Sequence, residues 1–254
     1  MLSVIWIFPS SGLFLNNNTL PDECADMNVG GSSELDSENM TLVTISDPRS
    51  PASEAYRTLR TNLSFYSLDK PLRTLVVTSP SAGEGKSTTI ANLAVTYAQS
   101  GRRTILVDCD LRRPNLHEVF GLDATPGLTN LVMEEISDLP LQQTAVENLW
   151  LLSSGAKPPN PADLLGASRM DQIIELLAER ADIVLFDAPP VTVAAVATIL
   201  GAKVDGVLLV IQAGKTRRDR SERARELLEK ARVRIVGATL TNAPKDSGMG
   251  EYYG

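Results

Sequence analysis

The chain has 254 residues, of which 43% are hydrophobic, 22% are charged and 5% are aromatic. This composition is typical of an ordinary globular protein, and it excludes a wholly disordered chain or a collagen-like repeat. The sequence holds 24 Lys and Arg against 31 Asp and Glu, for a formal net charge of −7. Because sequence-independent binding of nucleic acid needs a basic surface, no nucleic-acid partner is expected.

The negative charge is concentrated at the N-terminus. Residues 1–40 contain six acids and no Lys or Arg, so they carry −6 of the net −7 and leave −1 for the rest of the chain. The same stretch is rich in Asn and Ser and has no sustained hydrophobic periodicity, which is typical of disorder. We therefore predict a disordered acidic tail over 1–40, a folded domain over 41–243 and a flexible C-terminal tail over 244–254.

Cysteine usage indicates the compartment. The two cysteines, Cys24 and Cys109, are too few for a disulfide framework in a chain of this length. No apolar stretch approaches the roughly 18–20 residues that a membrane-spanning helix needs. The sequence therefore predicts a protein of a reducing compartment, the cytosol.

Past residue 41 the hydrophobic pattern consists of short apolar runs that alternate with helical periods. The first helix is predicted over 51–68, where Pro51 suits a first turn and Tyr56, Leu59 and Leu63 recur at helical spacing. Further helices are predicted over 86–100, 161–181, 193–202 and 216–232, with small helices up to 135, and strands over 72–79, 104–107, 149–152, 182–186, 206–211 and 235–240.

This alternation defines the expected fold class. Apolar runs separated by helices indicate βαβ units. Runs that are apolar on both faces are typical of parallel strands, which are buried on both sides by helices. The predicted fold is therefore α/β, with a doubly wound and mostly parallel sheet.

The strongest motif is the segment 79–88, which reads SPSAGEGKST and connects a predicted strand to a predicted helix. Glycines let backbone N–H groups turn toward phosphate oxygens, and the N-terminus of the following helix adds a positive dipole. In such a phosphate loop Lys86 reaches the β- and γ-phosphates and the Ser87 hydroxyl binds Mg²⁺. Pro80 replaces the first glycine of the strict G-x-x-x-x-G-K-[ST] pattern, and the alternative is a flexible glycine-rich turn with a chance lysine. The candidate nucleotide-binding residues of the loop are Ala82, Gly83, Glu84, Gly85, Lys86, Ser87 and Thr88.

Three acids follow predicted strands. Asp108 and Asp110 end the run ILVDCD, and Asp187 ends the run IVLFD. Since ligands of an open α/β sheet bind beyond the carboxyl ends of its strands, these carboxylates are expected beside the phosphate loop. There they can hold Mg²⁺ or take a proton from an attacking hydroxyl. The alternatives are a helix-capping turn for the first two and an ordinary Asp-turn before a Pro-Pro break for the third.

The combined motifs resemble the cytoplasmic bacterial tyrosine kinases of capsular and exopolysaccharide synthesis. The resemblance covers about residues 42–242, most of the chain. It is carried by the segments EAYRTLR (54–60), GEGKST (83–88), VDCDLRRP (107–114), GAKPPNPADLL (155–165) and FDAPPV (186–191).

The resemblance implies a P-loop NTPase of the MinD/ParA-like superfamily that uses ATP and Mg²⁺. Its implied activity is the phosphorylation of tyrosines in its own C-terminal tail. The catalytic roles of the family fall on Lys86, Asp108, Asp110 and Asp187. Metal binding is expected from Ser87, Asp108 and Asp187.

The resemblance also assigns roles outside the phosphate loop. Tyr252 and Tyr253 correspond to the phosphoacceptor cluster of the family, in a minimal form. Glu54, Arg57 and Arg60 form an E-x-x-R-x-x-R pattern near one face of the first helix, where Glu54 can also pair with Arg57. This pattern implies ring-like self-association, and the alternative is a solvated charged face.

Further expectations concern the nucleotide base and the partners. Asn242, just past the last predicted strand, is expected to touch adenine as in related P-loop proteins. The family has a transmembrane activator, a polysaccharide co-polymerase, either as a separate protein or as a fused N-terminal half. No such half is visible here, so a separate activator is expected, together with a cognate tyrosine phosphatase. The expected location is the cytoplasm, at the inner face of the plasma membrane through that activator.

Two other functions are compatible with a phosphate loop and these acids. Chromosome-partitioning and cell-division-site ATPases share the fold and act as nucleotide switches on a membrane partner without phosphorylating protein. They carry an early lysine in a K-G-G-x-G-K-[ST] loop, where this chain has Ser81 and Ala82, which favours the kinase. A degenerate, non-catalytic interaction module is disfavoured because the lysine and all three acids are present.

Overall fold

The computed structural model describes residues 5–6, 42–66, 71–133 and 138–243. Most of the predicted acidic tail and the whole predicted tyrosine tail, including Tyr252 and Tyr253, therefore lie outside the described residues. The strands are β1 (Ile5–Trp6), β2 (Thr74–Thr78), β3 (Thr104–Asp108), β4 (Gln142–Gln143), β5 (Leu149–Leu152), β6 (Ile183–Asp187), β7 (Gly206–Gln212) and β8 (Ile235–Thr241). The helices are α1 (Val43–Ser46), α2 (Pro51–Tyr66), α3 (Lys86–Gln99), α4 (Leu116–Phe120), α5 (Leu128–Val132), α6 (Pro161–Gly166), α7 (Ser168–Arg180), α8 (Val196–Gly201) and α9 (Arg218–Lys230).

The described strands form one sheet in the order β1-β8-β7-β2-β6-β3-β5-β4. The six strands from β8 to β5 are parallel, and the two-residue strands β1 and β4 add antiparallel edges. The chain crosses from β2 to β3 and later returns to place β6 between them. The predicted doubly wound, mostly parallel α/β fold is confirmed.

Alternate residues along the central strands enter two separate cores. On β2, Leu75 and Val77 pack with helices α2 and α3, while Val76 faces the other layer. On β6 the same alternation sends Leu185 to the first core and Phe186 to the second. Successive side chains of a strand point to opposite faces of the sheet, and here both faces are covered by a core. Most residues of these strands are therefore apolar, which explains the continuous apolar runs in the sequence.

The fold differs from the prediction in one helix and in the edge strands. The single helix predicted over 161–181 is two helices, because Ala167 between them is extended, with φ −61° and ψ 151°. The edge strands β1 and β4 were not predicted, since two residues are too few to show a periodicity. Among residues 42–66, 71–133 and 138–243, no helix is both long and apolar enough to span a bilayer.

Gly127, directly before α5, lies in close contact with the backbone of another segment. A Cβ added there would lie 2.3 Å from the backbone N of Gly155 and 2.3 Å from the backbone O of Ser153. Because backbone atoms cannot give way as a flexible side chain can, Gly127→Ala is expected to lower the free energy of unfolding by about 3 kcal/mol. Urea denaturation followed by circular dichroism measures this change.

Gly166 supplies the matched control for that substitution. Its added Cβ would meet only Ile199 Cγ2, at an ordinary 3.9 Å. Gly166→Ala is therefore expected to leave stability unchanged or slightly raised, as alanine favours helix. Equal stability of the two variants would contradict the packing argument.

Candidate active site

The sheet brings the predicted site residues together at the carboxyl ends of its central strands. The phosphate loop follows β2, which pairs with β6 so that Val77 lies opposite Asp187. On the other side of β6, Asp108 of β3 lies opposite the same Asp187. The phosphate loop, Asp108 and Asp187 thus lie at the carboxyl ends of neighbouring parallel strands, which is where open α/β sheets bind their ligands.

The phosphate loop has the backbone conformation that its glycines permit. Gly83 has φ +72° and Gly85 has φ +83°, both in the left-handed region that residues with a Cβ rarely adopt. A Cβ on Gly85 would make an ordinary contact with Thr241 Cγ2, 3.4 Å away, so the backbone conformation is what requires glycine there. Helix α3 begins at Lys86, directly after the loop, so its N-terminal dipole points at the site.

Lys86 is the central cation of the site. Its Nζ lies 3.0 Å from a carboxylate oxygen of Asp110 and 3.3 Å from Oδ1 of Asp187. It also donates to the Ser87 hydroxyl at 3.0 Å. Burial alone would lower the pKa of Lys86, but the neighbouring carboxylates outweigh burial and raise the pKa above its ordinary value. The lysine is therefore held charged among oxygen atoms.

Asp108 is fully buried and already satisfied by the backbone. Its Oδ1 accepts the N–H of Asp110 at 3.2 Å, and its Oδ2 accepts the N–H groups of Asn115 and Leu116, each at 3.1 Å. Burial, followed by the charge of Asp187, raises the pKa of this carboxyl. Asp108 thus fixes the turn after β3.

Asp187 and Asp110 differ in exposure although both contact Lys86. The Asp187 side chain is 0% exposed, and burial raises its pKa against the lowering effect of Lys86. The Asp110 side chain is 10% exposed, and its Oδ2 faces the Lys86 ammonium. Of the three predicted acids, Asp110 has the most exposed side chain.

A cavity of about 360 Å³ adjoins the phosphate loop. It includes four residues of the predicted loop set (Gly83, Glu84, Gly85 and Thr88) and Asn242 after β8. Its remaining walls were not anticipated: they come from α1, from α2, from α3 and from the ends of β7 and β8. These lining residues are Val43, Ala52, Tyr56, Asn92, Gln212 and Thr241.

Comparison with known proteins identifies the family. The profile of the ParA family, described as NUBPL iron-transfer P-loop NTPase, matches residues 71–242. The tyrosine-protein kinase YwqD of Bacillus subtilis (strain 168) is 41% identical over 212 residues, which are 83% of this chain and 89% of the relative. This chain belongs to the bacterial tyrosine-protein kinases.

Solved structures agree with that family assignment. The chimerical protein CapA2B2 superposes with a TM-score of 0.77 at 33% identity, over 80% of this chain and 90% of the other. The kinase domain of the Escherichia coli tyrosine kinase ETK gives 0.76 at 28% identity, over 81% and 83%. The septum site-determining protein MinD complexed with Mg-ADP, from Pyrococcus horikoshii OT3, gives 0.57 at 24% identity over 71% and 76%, which shows a shared fold alone. These relationships support the kinase and not the nucleotide switch.

The E-x-x-R-x-x-R residues of the kinase do not all point the same way. Arg57 pairs with Glu54 at 2.8 Å, so the predicted pairing is confirmed, and it also donates to the backbone O of Pro48. Arg60 instead donates to the backbone O of Thr96, near the C-terminus of α3, at 2.7 Å. Glu54 and Arg57 thus remain together at the surface of α2, while Arg60 ties α2 to α3.

The kinase has the donor types that Mg²⁺ prefers. Within the described ranges, no group of three or more His, Cys, Asp or Glu residues is arranged to hold a metal ion. Mg²⁺ bound with a nucleotide usually needs only one or two protein carboxylates, because phosphates and water complete its shell. The Ser87 hydroxyl and the Asp187 carboxylate fit that requirement, and both contact the Lys86 ammonium.

Proposed function

We propose that this kinase is an ATP-dependent autokinase that phosphorylates Tyr252 and Tyr253 of its own tail. The observation that carries the proposal is the cluster at the phosphate loop, in which Lys86 lies between Asp110 and Asp187. A phosphate-binding loop, a lysine and carboxylates that meet at the carboxyl ends of neighbouring strands are parts that phosphoryl transfer requires.

Lys86 and the loop would stabilise the transferring phosphoryl group. The inward N–H groups of residues 83–88 and the ammonium of Lys86 supply fixed positive charge where negative charge develops. ATP would draw the ammonium from the carboxylates toward its phosphates, an exchange of one set of anionic partners for another. Ser87 and Asp187, with Asp108 behind them, would hold Mg²⁺, which neutralises phosphate charge when it is bound.

Asp110 is the better candidate for the base. Tyrosine has an ordinary pKa of about 10, so a carboxylate that accepts its proton promotes attack on the γ-phosphorus. The oxygen atoms of Asp108 already accept three backbone N–H groups, whereas Asp110 reaches the surface beside Lys86. In the proposed step the tyrosine oxygen bonds to phosphorus, the bond to the β-phosphate oxygen breaks, and the proton passes to Asp110.

The cavity beside the loop is the proposed site of the nucleoside. Its volume, about 360 Å³, lies within the range of small-molecule sites. Thr88 and Asn242 line the cavity together with Tyr56 of α2, whose aromatic ring offers an apolar wall. This supports the proposed contact of Asn242 with adenine.

The proposed setting follows the resemblance of the motifs. The kinase would act in capsular or exopolysaccharide synthesis, in the cytoplasm at the inner face of the plasma membrane, with a separate transmembrane co-polymerase as activator. A ring formed through Glu54, Arg57 and Arg60 would present the tail of one subunit to the site of its neighbour. A cognate tyrosine phosphatase would reverse the modification.

Substitution of the tail tyrosines tests the proposed acceptor. The Tyr252→Phe/Tyr253→Phe double variant is expected to lose most of the phosphotyrosine, because phenylalanine has no hydroxyl to accept the phosphoryl group. The measurement is incorporation of label from [γ-³²P]ATP with the cytoplasmic segment of the activator present. Release of label only as free phosphate by the wild-type chain would support the nucleotide switch instead.

Tyr66→Phe is the matched control for the tail. The Tyr66 hydroxyl is buried and makes no hydrogen bond to the described residues, so its removal should change neither stability nor label. Undiminished phosphotyrosine in the tail double variant would show that the acceptor lies elsewhere.

A further inference from the structure

Glu84 is buried although it lies in the phosphate loop between two glycines. Its side chain folds inward, and the residue is only 2% exposed. One carboxylate oxygen accepts the backbone N–H of Ser81 at 3.0 Å, within the same loop. The other accepts the hydroxyl of Thr216 at 2.7 Å, from the connection between β7 and α9. The carboxylate therefore joins the loop to a distant part of the chain.

The Thr216 hydroxyl has a fixed orientation. Its oxygen accepts the backbone N–H of Gln212 at 3.0 Å. Since a hydroxyl has a single proton, Thr216 directs that proton to Glu84. Both the donor and the acceptor are thus held in place before any ligand arrives.

Neighbouring contacts strengthen the same attachment. In a phosphate-binding loop the N–H groups turn inward, so several carbonyl groups face outward and need donors. The Thr241 hydroxyl donates to the backbone O of Glu84 at 2.9 Å, and Lys215 Nζ donates to the backbone O of Gly83 at 3.3 Å. Arg220 donates to the Ser81 hydroxyl at 3.1 Å. The outer side of the loop is therefore bound mainly by the segment 212–220.

We propose that Glu84 and Thr216 are positioning residues that preorganise the phosphate loop for ATP. Their hydrogen bond holds the loop against the β7–α9 connection, so that its N–H groups already point at the phosphates. Without it the loop must be ordered when the nucleotide binds, which weakens affinity. The inference rests on the proposed function only in that this loop binds the phosphates of ATP.

Thr216→Val tests the role of the hydroxyl, since valine keeps the shape and removes the donor. The dissociation constants of ATP and ADP with Mg²⁺ are measured by titration with fluorescent nucleotide analogues. Loss of a hydrogen bond to a charged group is expected to weaken binding about tenfold. In the phosphotyrosine assay KM for ATP should rise while kcat falls less. Thr216→Ser, which keeps the hydroxyl, should bind within about twofold of wild type.

Thr144→Val is the matched control at the opposite edge of the sheet. The Thr144 hydroxyl lies 3.1 Å from the backbone O of Leu149 and accepts the N–H of Val146. Its loss should lower stability without changing nucleotide affinity.

Two results would overturn the inference: Thr216→Val binding ATP as wild type does, or Thr216→Ser binding as weakly as Thr216→Val. If Thr216→Val does not fold, Glu84→Gln decides, because its one amide oxygen can serve only one of the two donors. A loss of about fivefold is then expected, and unchanged affinity would overturn the inference. If wild type bound no nucleotide, the proposed function itself would fail, and these variants would show no affinity to compare.

Discussion

Lys86→Met is expected to abolish phosphotyrosine formation. The Lys86 ammonium lies at the start of α3 between Asp110 and Asp187, and methionine replaces it with an uncharged side chain of similar length. Removal of one preorganised charge that stabilises a transition state lowers kcat by about a thousandfold. The label assay described above measures the loss, and phosphotyrosine that persists in this variant would contradict the kinase mechanism.

The same substitution should also destabilise the fold. Lys86 is 12% exposed and balances buried carboxylates, and breaking such a pair leaves uncompensated charge at a cost of about 3 kcal/mol. Lys86→Arg keeps the charge, so its stability in urea should stay close to wild type although transfer is impaired. The comparison separates loss of catalysis from loss of structure.

Asp110→Asn is expected to lower kcat at least a hundredfold while the nucleotide still binds. A positioned general base contributes about 10²–10⁴ to a rate, and the amide cannot accept the tyrosine proton. Single-turnover transfer, with ATP affinity measured separately, checks both parts.

Asp108→Asn is the informative comparison for that variant. Its carboxylate accepts three backbone N–H groups in the turn after β3, so an amide nitrogen in place of one oxygen should lower stability. Full transfer activity in Asp110→Asn, with loss confined to Asp108→Asn, would reverse the roles assigned here.

The sequence was sufficient for the parts of the site that are local along the chain. The strand before the loop, the glycines and the helix that begins at Lys86 are neighbours in sequence, so their pattern predicts their geometry. The meeting of Asp108 and Asp187 could also be predicted, because both end strands of one parallel sheet. The separate role of each acid could not be predicted, because the backbone partners of Asp108 come from the turn that follows it.

The missed features depend on contacts between distant segments. Nothing near Thr216 indicates that its hydroxyl reaches Glu84, 132 residues away in the chain. The extended Ala167 interrupts a helical period that reads as continuous, since alanine favours helix and only the preceding Gly166 signals an end. Arg60 belongs to a charge pattern on α2 that predicts an exposed side chain. Instead it donates to the backbone O of Thr96, near the end of α3.

The place of β6 in the sheet has a consequence for how the molecule fluctuates. This strand has β2 on one side, β3 on the other and a packed core on both faces, and all five of its residues are buried. Local opening begins where contacts are fewest, at edges and loops, and reaches such a strand only when the whole domain unfolds. The amide hydrogens of this strand are therefore expected to exchange among the slowest of the described residues, and Asp187 keeps its place when other parts of the domain open locally.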